Sequence, residues 1–182
     1  MEKGDILKFR IEDMTEDGKG IGRVESLVIF AEGGVPGDLV KAEIIKVKKR
    51  YAIARVSEII EESEDRVNPS CPYFGRCGGC SLLNLSYEKQ LAVKHGQLTS
   101  KLVRIAGIEE PVVREMIPAE QRSHYRNKGT YAVSKDGKVG FYMRGSGRII
   151  DCESCELQNE ARQAVAGCVR ALLRDKLIIP FD

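Results

Sequence analysis

Leu7-Lys8-Phe9-Arg10-Ile11-Glu12 alternates apolar and charged side chains, the two-residue period of a strand with one face buried and the other wet. Working outward, Asp17-Gly18-Lys19-Gly20-Ile21-Gly22 supplies a turn and a short second strand, and residues 27–31 make a third. Gly33-Gly34-Val35-Pro36-Gly37-Asp38 punctuates the chain as a loop. Val40, Ala42 and Ile44 then alternate into a fourth strand, and Ala52, Ala54 and Val56 into a fifth. Five short strands with no helix among them predict a small OB-like barrel over residues 1–60. Gly18-x-Gly20-x-Gly22 has the wrong spacing for a dinucleotide-binding loop and opens no helix, so it is read as a turn.

Downstream, Glu61, Glu62, Glu64 and Asp65 form an acidic linker, and Asn68-Pro69 breaks regular structure. Residues 61–85 are therefore linker plus a cysteine-rich knuckle. From Ser86 the period turns helical, with Leu91, Leu98, Leu102 and Ile105 on one face and Gly107 as the stop. Two strands, 125–134 and 138–143, meet at the Asp136-Gly137 turn, and a short strand follows at 148–150. The chain closes in a helix striped by Ala161, Val165, Cys168 and Leu172, on which Cys168 reads as a small buried apolar residue. The fold class is mainly β: a barrel, a knuckle, and an α+β region of hairpin and two helices over 86–182.

The 182 residues carry 29 Lys+Arg against 27 Asp+Glu, a net charge of +2, so a surface for nucleic acid has to come from local segregation of charge. No apolar run approaches the ~20 residues of a membrane span, and the start opens no apolar signal core. The expected location is the cytoplasm, where disulfides do not persist, so the six cysteines point to thiolates for a metal.

Cys71-x5-Cys77-x2-Cys80 brings three sulfurs onto one tight turn, and Gly78 and Gly79 let the backbone bend there and approach sulfur. A fourth ligand has to come from Cys152, Cys155 or Cys168. Spacing alone leaves zinc and an iron–sulfur cluster both open, since each accepts four thiolates. The 71 residues between Cys80 and Cys152 far exceed the ~15–20 of common zinc modules.

Charge is segregated in two places. Lys46, Lys48, Lys49 and Arg50 crowd the turn between the fourth and fifth strands. Between Arg114 and Arg148, eight Lys/Arg stand against Glu115, Glu120 and Asp136, a net of +5. Arg122, Tyr125, Arg126, Lys128, Phe141 and Arg144 are the candidate RNA contacts of this second patch, because cations between flat rings suit single strands.

The barrel with Asp17-Gly18-Lys19-Gly20-Ile21-Gly22-Arg23 and Val35-Pro36-Gly37-Asp38 resembles the TRAM domain. Followed by Cys71-Pro72-Tyr73-Phe74-Gly75-Arg76-Cys77-Gly78-Gly79-Cys80, then Tyr125-Arg126-Asn127-Lys128 and Gly140-Phe141-Tyr142, it is similar to the uracil-5 RNA methyltransferases of the 23S ribosomal RNA type, the RumA/RlmD-like group. The resemblance implies a 4Fe–4S cluster on Cys71, Cys77, Cys80 and Cys155, with zinc the alternative and Cys152 an extra thiol. It implies ribosomal RNA as partner and a S-adenosylmethionine (SAM) domain, with the catalytic residues, that these 182 residues do not contain. The chain thus reads as the N-terminal part of a longer enzyme, inactive alone and without catalytic residues of its own. In the family the stretch 86–115 packs partly against the missing domain, which would leave Leu91, Leu98, Leu102 and Ile105 uncovered and favour self-association. The competing reading is a free-standing, non-catalytic RNA-binding module.

Overall fold

The computed structural model describes residues 1–180. Two compact units form, one from Met1–Asn68 with Ser81–Pro118, the other from Pro69–Cys80 with the chain from Ala119 onward.

In the first unit five strands close a barrel in the order β1-β2-β3-β5-β4: β1 (Ile6–Met14), β2 (Lys19–Val24), β3 (Leu27–Glu32), β4 (Leu39–Val47) and β5 (Tyr51–Glu61). All neighbours are antiparallel except β3 and β5, which run parallel. The alternating residues meet inside: Phe9, Ile11, Ile29, Ala31, Val40, Ala42, Ile44, Ala52 and Ala54 make one buried cluster. The four alanines among them leave room inside a narrow barrel for Phe9 and the three isoleucines.

The Val35–Asp38 loop is pinned by its last residue. Asp38 is fully buried, and its carboxylate accepts hydrogen bonds from the amides of Val35 (2.8 Å) and Ser63 (2.9 Å). Arg66 donates to it through Nη2 at 2.5 Å and Nε at 3.2 Å, and also to the Gly33 carbonyl at 2.8 Å. One side chain thereby ties the β3–β4 loop to the segment that leaves the barrel.

Helix α1 (Tyr87–Arg104) starts at Ser86, whose hydroxyl accepts the Lys89 amide, and stops two residues short of Gly107 at its C-cap, Ile105. Val93 packs with Met14, Val35 and Leu85 beneath the barrel, and Gln97 donates to the Met14 carbonyl at 3.0 Å. These contacts join residues 81–118 to the barrel rather than to the chain that follows. Leu91 and Leu102 are half-buried, while Leu98 and Ile105 are exposed.

The β1–β2 turn shows why the glycines stand where they do. Gly18 has φ +80°, and a Cβ there would collide with the Ser81 carbonyl. Gly18→Ala is expected to destabilise the first unit by roughly 1–3 kcal/mol, seen as a lower urea midpoint at unchanged slope.

The second unit holds a small antiparallel sheet, β6 (Ala132–Val133), β7 (Val139–Tyr142) and β8 (Ile149–Asp151), and helix α2 (Glu160–Arg174) capped by Asn159. Two expectations are corrected here. The strand expected over 125–134 is reduced to two residues, because the preceding segment bonds elsewhere: the His124 amide donates to the Glu156 carbonyl and the Arg126 amide to the Leu157 carbonyl. Cys168 is exposed, not buried. The inward face of α2 is set by Ala166 and by two polar anchors: Gln163, which donates to the Gln158 carbonyl, and Arg170, which bonds to the carbonyls of Val139 and Cys152 and to Asp151. Among the described residues no helix is long and apolar enough to cross a membrane.

Candidate metal centre and nucleic-acid interface

The knuckle is a run of turns. The Phe74 amide donates to the Cys71 carbonyl and the Cys77 amide to the Tyr73 carbonyl, with Gly75 at φ +79°. Beyond Cys77 the loop lies antiparallel to the end of β7, with the Gly78 amide on the Tyr142 carbonyl (3.0 Å) and the Arg144 amide on the Arg76 carbonyl (2.8 Å). Arg144 also donates to the Cys80 carbonyl at 2.7 Å. The opposing segment, between β8 and α2, carries Cys152 and Cys155. It is tied to the knuckle by Ser70 donating to Glu156 (2.7 Å) and by the Glu153 amide donating to the Tyr73 hydroxyl (3.2 Å).

Five thiols share this neighbourhood. Burial, with help from nearby Cys155, Cys77 and Cys71, pushes the Cys80 thiol up to about 11 against the opposing pull of Arg126. Burial, and then the same three cysteines, push Cys152 up to about 12, opposed by Arg170. Cys168 stands apart on α2. No group of three or more His, Cys, Asp or Glu among the described residues is already arranged around a single-ion position. The Gly79 amide points at Cys77 Sγ (3.4 Å), an N–H···S contact of the kind that tunes iron–sulfur sites.

Cys152 and Cys155 differ in what already occupies them. The Cys152 thiol is buried at 4 % exposure and donates to the Ser154 carbonyl at 3.1 Å. Cys155 is half-buried, and among the described residues only its backbone is held, with Gln163 Oε1 on its amide at 3.1 Å.

The candidate RNA contacts fall in both units. Lys46, Lys48, Lys49 and Arg50 are exposed at the β4–β5 turn, closed by the Lys48 amide on the Tyr51 carbonyl. Arg122, Tyr125, Arg126 and Lys128 are exposed in the second unit, as is Arg144. Phe141 is half-buried and packs on Tyr131 at 4.7 Å, so its ring is partly used within the fold. Sequence reasoning missed Arg170, Gln163 and Gln158. Gln158 is buried with Oε1 unpartnered, and a Cβ at Gly129 would strike its amide. No local pattern marks these three; only the fold brings them inward.

The TRAM domain family matches residues 2–57. An RNA methyltransferase of Halalkalibacterium halodurans is 39% identical over 185 residues, spanning 100% of this chain and 40% of that protein. One of Chlorobaculum tepidum is 36% identical over 200 residues, 98% of this chain and 41% of that one. The chain thus spans about two fifths of the curated relatives it matches. A crystal structure of the Pyrococcus abyssi tRNA (uracil-54, C5)-methyltransferase with S-adenosyl-L-homocysteine matches 94% of this chain and 38% of its own, at TM-score 0.64 and 26% identity. A TRAM barrel stands at the start of the chain, and similarity to RNA methyltransferases runs along its whole length.

Proposed function

We propose that this chain is the RNA-recognition and iron–sulfur portion of a SAM-dependent uracil-5 RNA methyltransferase that acts on ribosomal RNA in the cytoplasm. The observation that carries the reading is relatedness to RNA methyltransferases across barrel, knuckle and sheet together. Cys71, Cys77, Cys80 and Cys155 are the proposed ligands of a 4Fe–4S cluster, supported by four thiols from two cross-tied segments and by the amide on Cys77 sulfur. Zinc is the competing occupant.

The cluster's proposed role is to fix the knuckle against the 152–158 segment, since joining residues so distant in sequence stabilises by closing a long loop. Lys46, Lys48, Lys49 and Arg50, with Arg122, Tyr125, Arg126, Lys128, Phe141 and Arg144, hold the RNA. The 182 residues alone transfer no methyl group. Exposed Leu98 and Ile105 on α1 leave the chain able to self-associate.

Titration of a labelled single-stranded ribosomal RNA fragment with this chain tests the reading. Five phosphate contacts give a log–log salt slope near −3.5, at about −0.7 per contact. A slope near zero rejects it. The Pyrococcus neighbour, named for transfer RNA, favours a second reading with that substrate. Tighter binding of transfer RNA than of the ribosomal fragment would select it.

A further inference from the structure

The outer face of the barrel carries an apolar patch that neither the core nor the cysteine centre uses. Ile29, Ala31, Ala52 and Ala54 point into the barrel, so the residues between them point out. On that outer face the parallel β3–β5 register sets Val28 beside Tyr51 and Phe30 beside Ile53, and β2 adds Ile21 beside Phe30. Phe30 meets Tyr51 edge-on, with centroids 5.5 Å apart and planes at 72°, which braces the Tyr51 ring. Tyr51 nevertheless remains 37 % exposed.

The ring sits directly after the most basic turn of the chain. Lys48, Lys49 and Arg50 precede it, all exposed, and the Lys48 amide bonds to the Tyr51 carbonyl. Lys46, in register with Ile53, lies on the same outer face. Of the acids around this face, Glu32 pairs with Arg55 at 3.4 Å and Glu12 with Arg23 at 3.6 Å, while exposed Glu43 stands in register with Arg55. A braced, half-open aromatic beside four cations is what a single-stranded nucleic acid needs, a flat surface for a base and charge for its phosphates. A duplex keeps its bases stacked inside and offers such a ring nothing. Barrels of this class bind oligonucleotides on the face of strands 2 and 3 and the loop between strands 4 and 5, the region that holds Phe30, Lys48 and Tyr51.

We propose that Tyr51, braced by Phe30, is a stacking platform for one base of a single RNA strand whose phosphates lie on Lys46, Lys48, Lys49 and Arg50. The inference rests on the RNA-binding reading above and adds the form of nucleic acid and the residue that takes a base.

The test compares a single-stranded oligouridylate with an abasic ribose-phosphate strand of equal length, at several salt concentrations. Wild-type chain is expected to bind the base-bearing strand about 5- to 100-fold more tightly. Tyr51→Ala and Tyr51→Leu should lower that preference about fivefold or more and keep the salt slope, the leucine preserving apolar cover over Phe30, and an undiminished preference in both overturns the platform. Tyr51→Phe should stay within about twofold of wild type, since stacking needs the ring and not the hydroxyl. Equal affinity for both strands with a normal slope overturns the platform and leaves the RNA reading intact. No salt-dependent binding of either strand overturns the RNA reading and the platform with it. If Tyr51→Ala alters sedimentation of the chain and not RNA affinity, the face is a contact between copies and the platform is wrong.

Discussion

Asp38→Ala is expected to cost the first unit about 3–5 kcal/mol, because it strands the Arg66 guanidinium beside a buried space. Arg66 is itself only 13 % exposed in its side chain, and its carboxylate partner is fully buried. The loss does not stop at the ion pair. The amides of Val35 and Ser63 also end on that carboxylate, and each buried amide left without an acceptor costs about 1–3 kcal/mol. Replacing both partners with apolar residues, which often rescues a simple buried pair, should therefore fail here. Asp38→Asn keeps one acceptor oxygen and is expected to lose roughly half as much. Urea unfolding followed by circular dichroism reads all three variants. A loss below about 1 kcal/mol for Asp38→Ala would show that the loop closes without this side chain.

Cys155→Ser is expected to abolish the iron and sulfide content of the anaerobically reconstituted chain, and Cys152→Ser to leave it near wild type. The two thiols lie three residues apart, but Cys152 is buried and already donates to the Ser154 carbonyl. Cys155 is half-buried, and its sulfur makes no hydrogen bond among the described residues. Full iron in Cys155→Ser with loss in Cys152→Ser would reverse the assignment, and zinc without sulfide would replace the cluster by a single ion. Thiols held up to about 11 at Cys80 and about 12 at Cys152 are protonated near neutrality in the metal-free chain. A bound Cys80 must give up its proton, so apparent affinity rises with pH. Chelation should then melt the second unit cooperatively, by a few kcal/mol; an unchanged melting curve would remove the structural role.

What was legible in the sequence was local. Leu7 to Glu12, the alternating alanines and the glycine turns specify the barrel because strand period and turn chemistry act over a few residues. Ser86 and the helical spacing after it marked α1 for the same reason. The 125–134 segment failed because its partner is the 156–158 loop, about thirty residues away, and no alternation encodes that pairing. The last helix was turned the wrong way round. Its apolar stripe of Val165, Cys168 and Leu172 looked like a core face, but Gln163 and Arg170 find buried carbonyls and take the inner side. The cysteine spacing was plain, whereas the difference between Cys152 and Cys155 lay in burial and one hydrogen bond. Tyr51 beside Phe30 was hidden because parallel pairing of β3 and β5 joins strands that are not consecutive.

The interleaving of the two units carries a cost in time. The segment Pro69–Cys80 is inserted inside the barrel unit, while its own companions begin at Ala119. On the ribosome, Cys80 emerges 75 residues ahead of Cys155, which at 5–20 residues per second is roughly 4–15 s. For that interval the nascent chain carries the thiols of Cys71, Cys77 and Cys80 on a loop whose partner strands and 152–158 segment are not yet made.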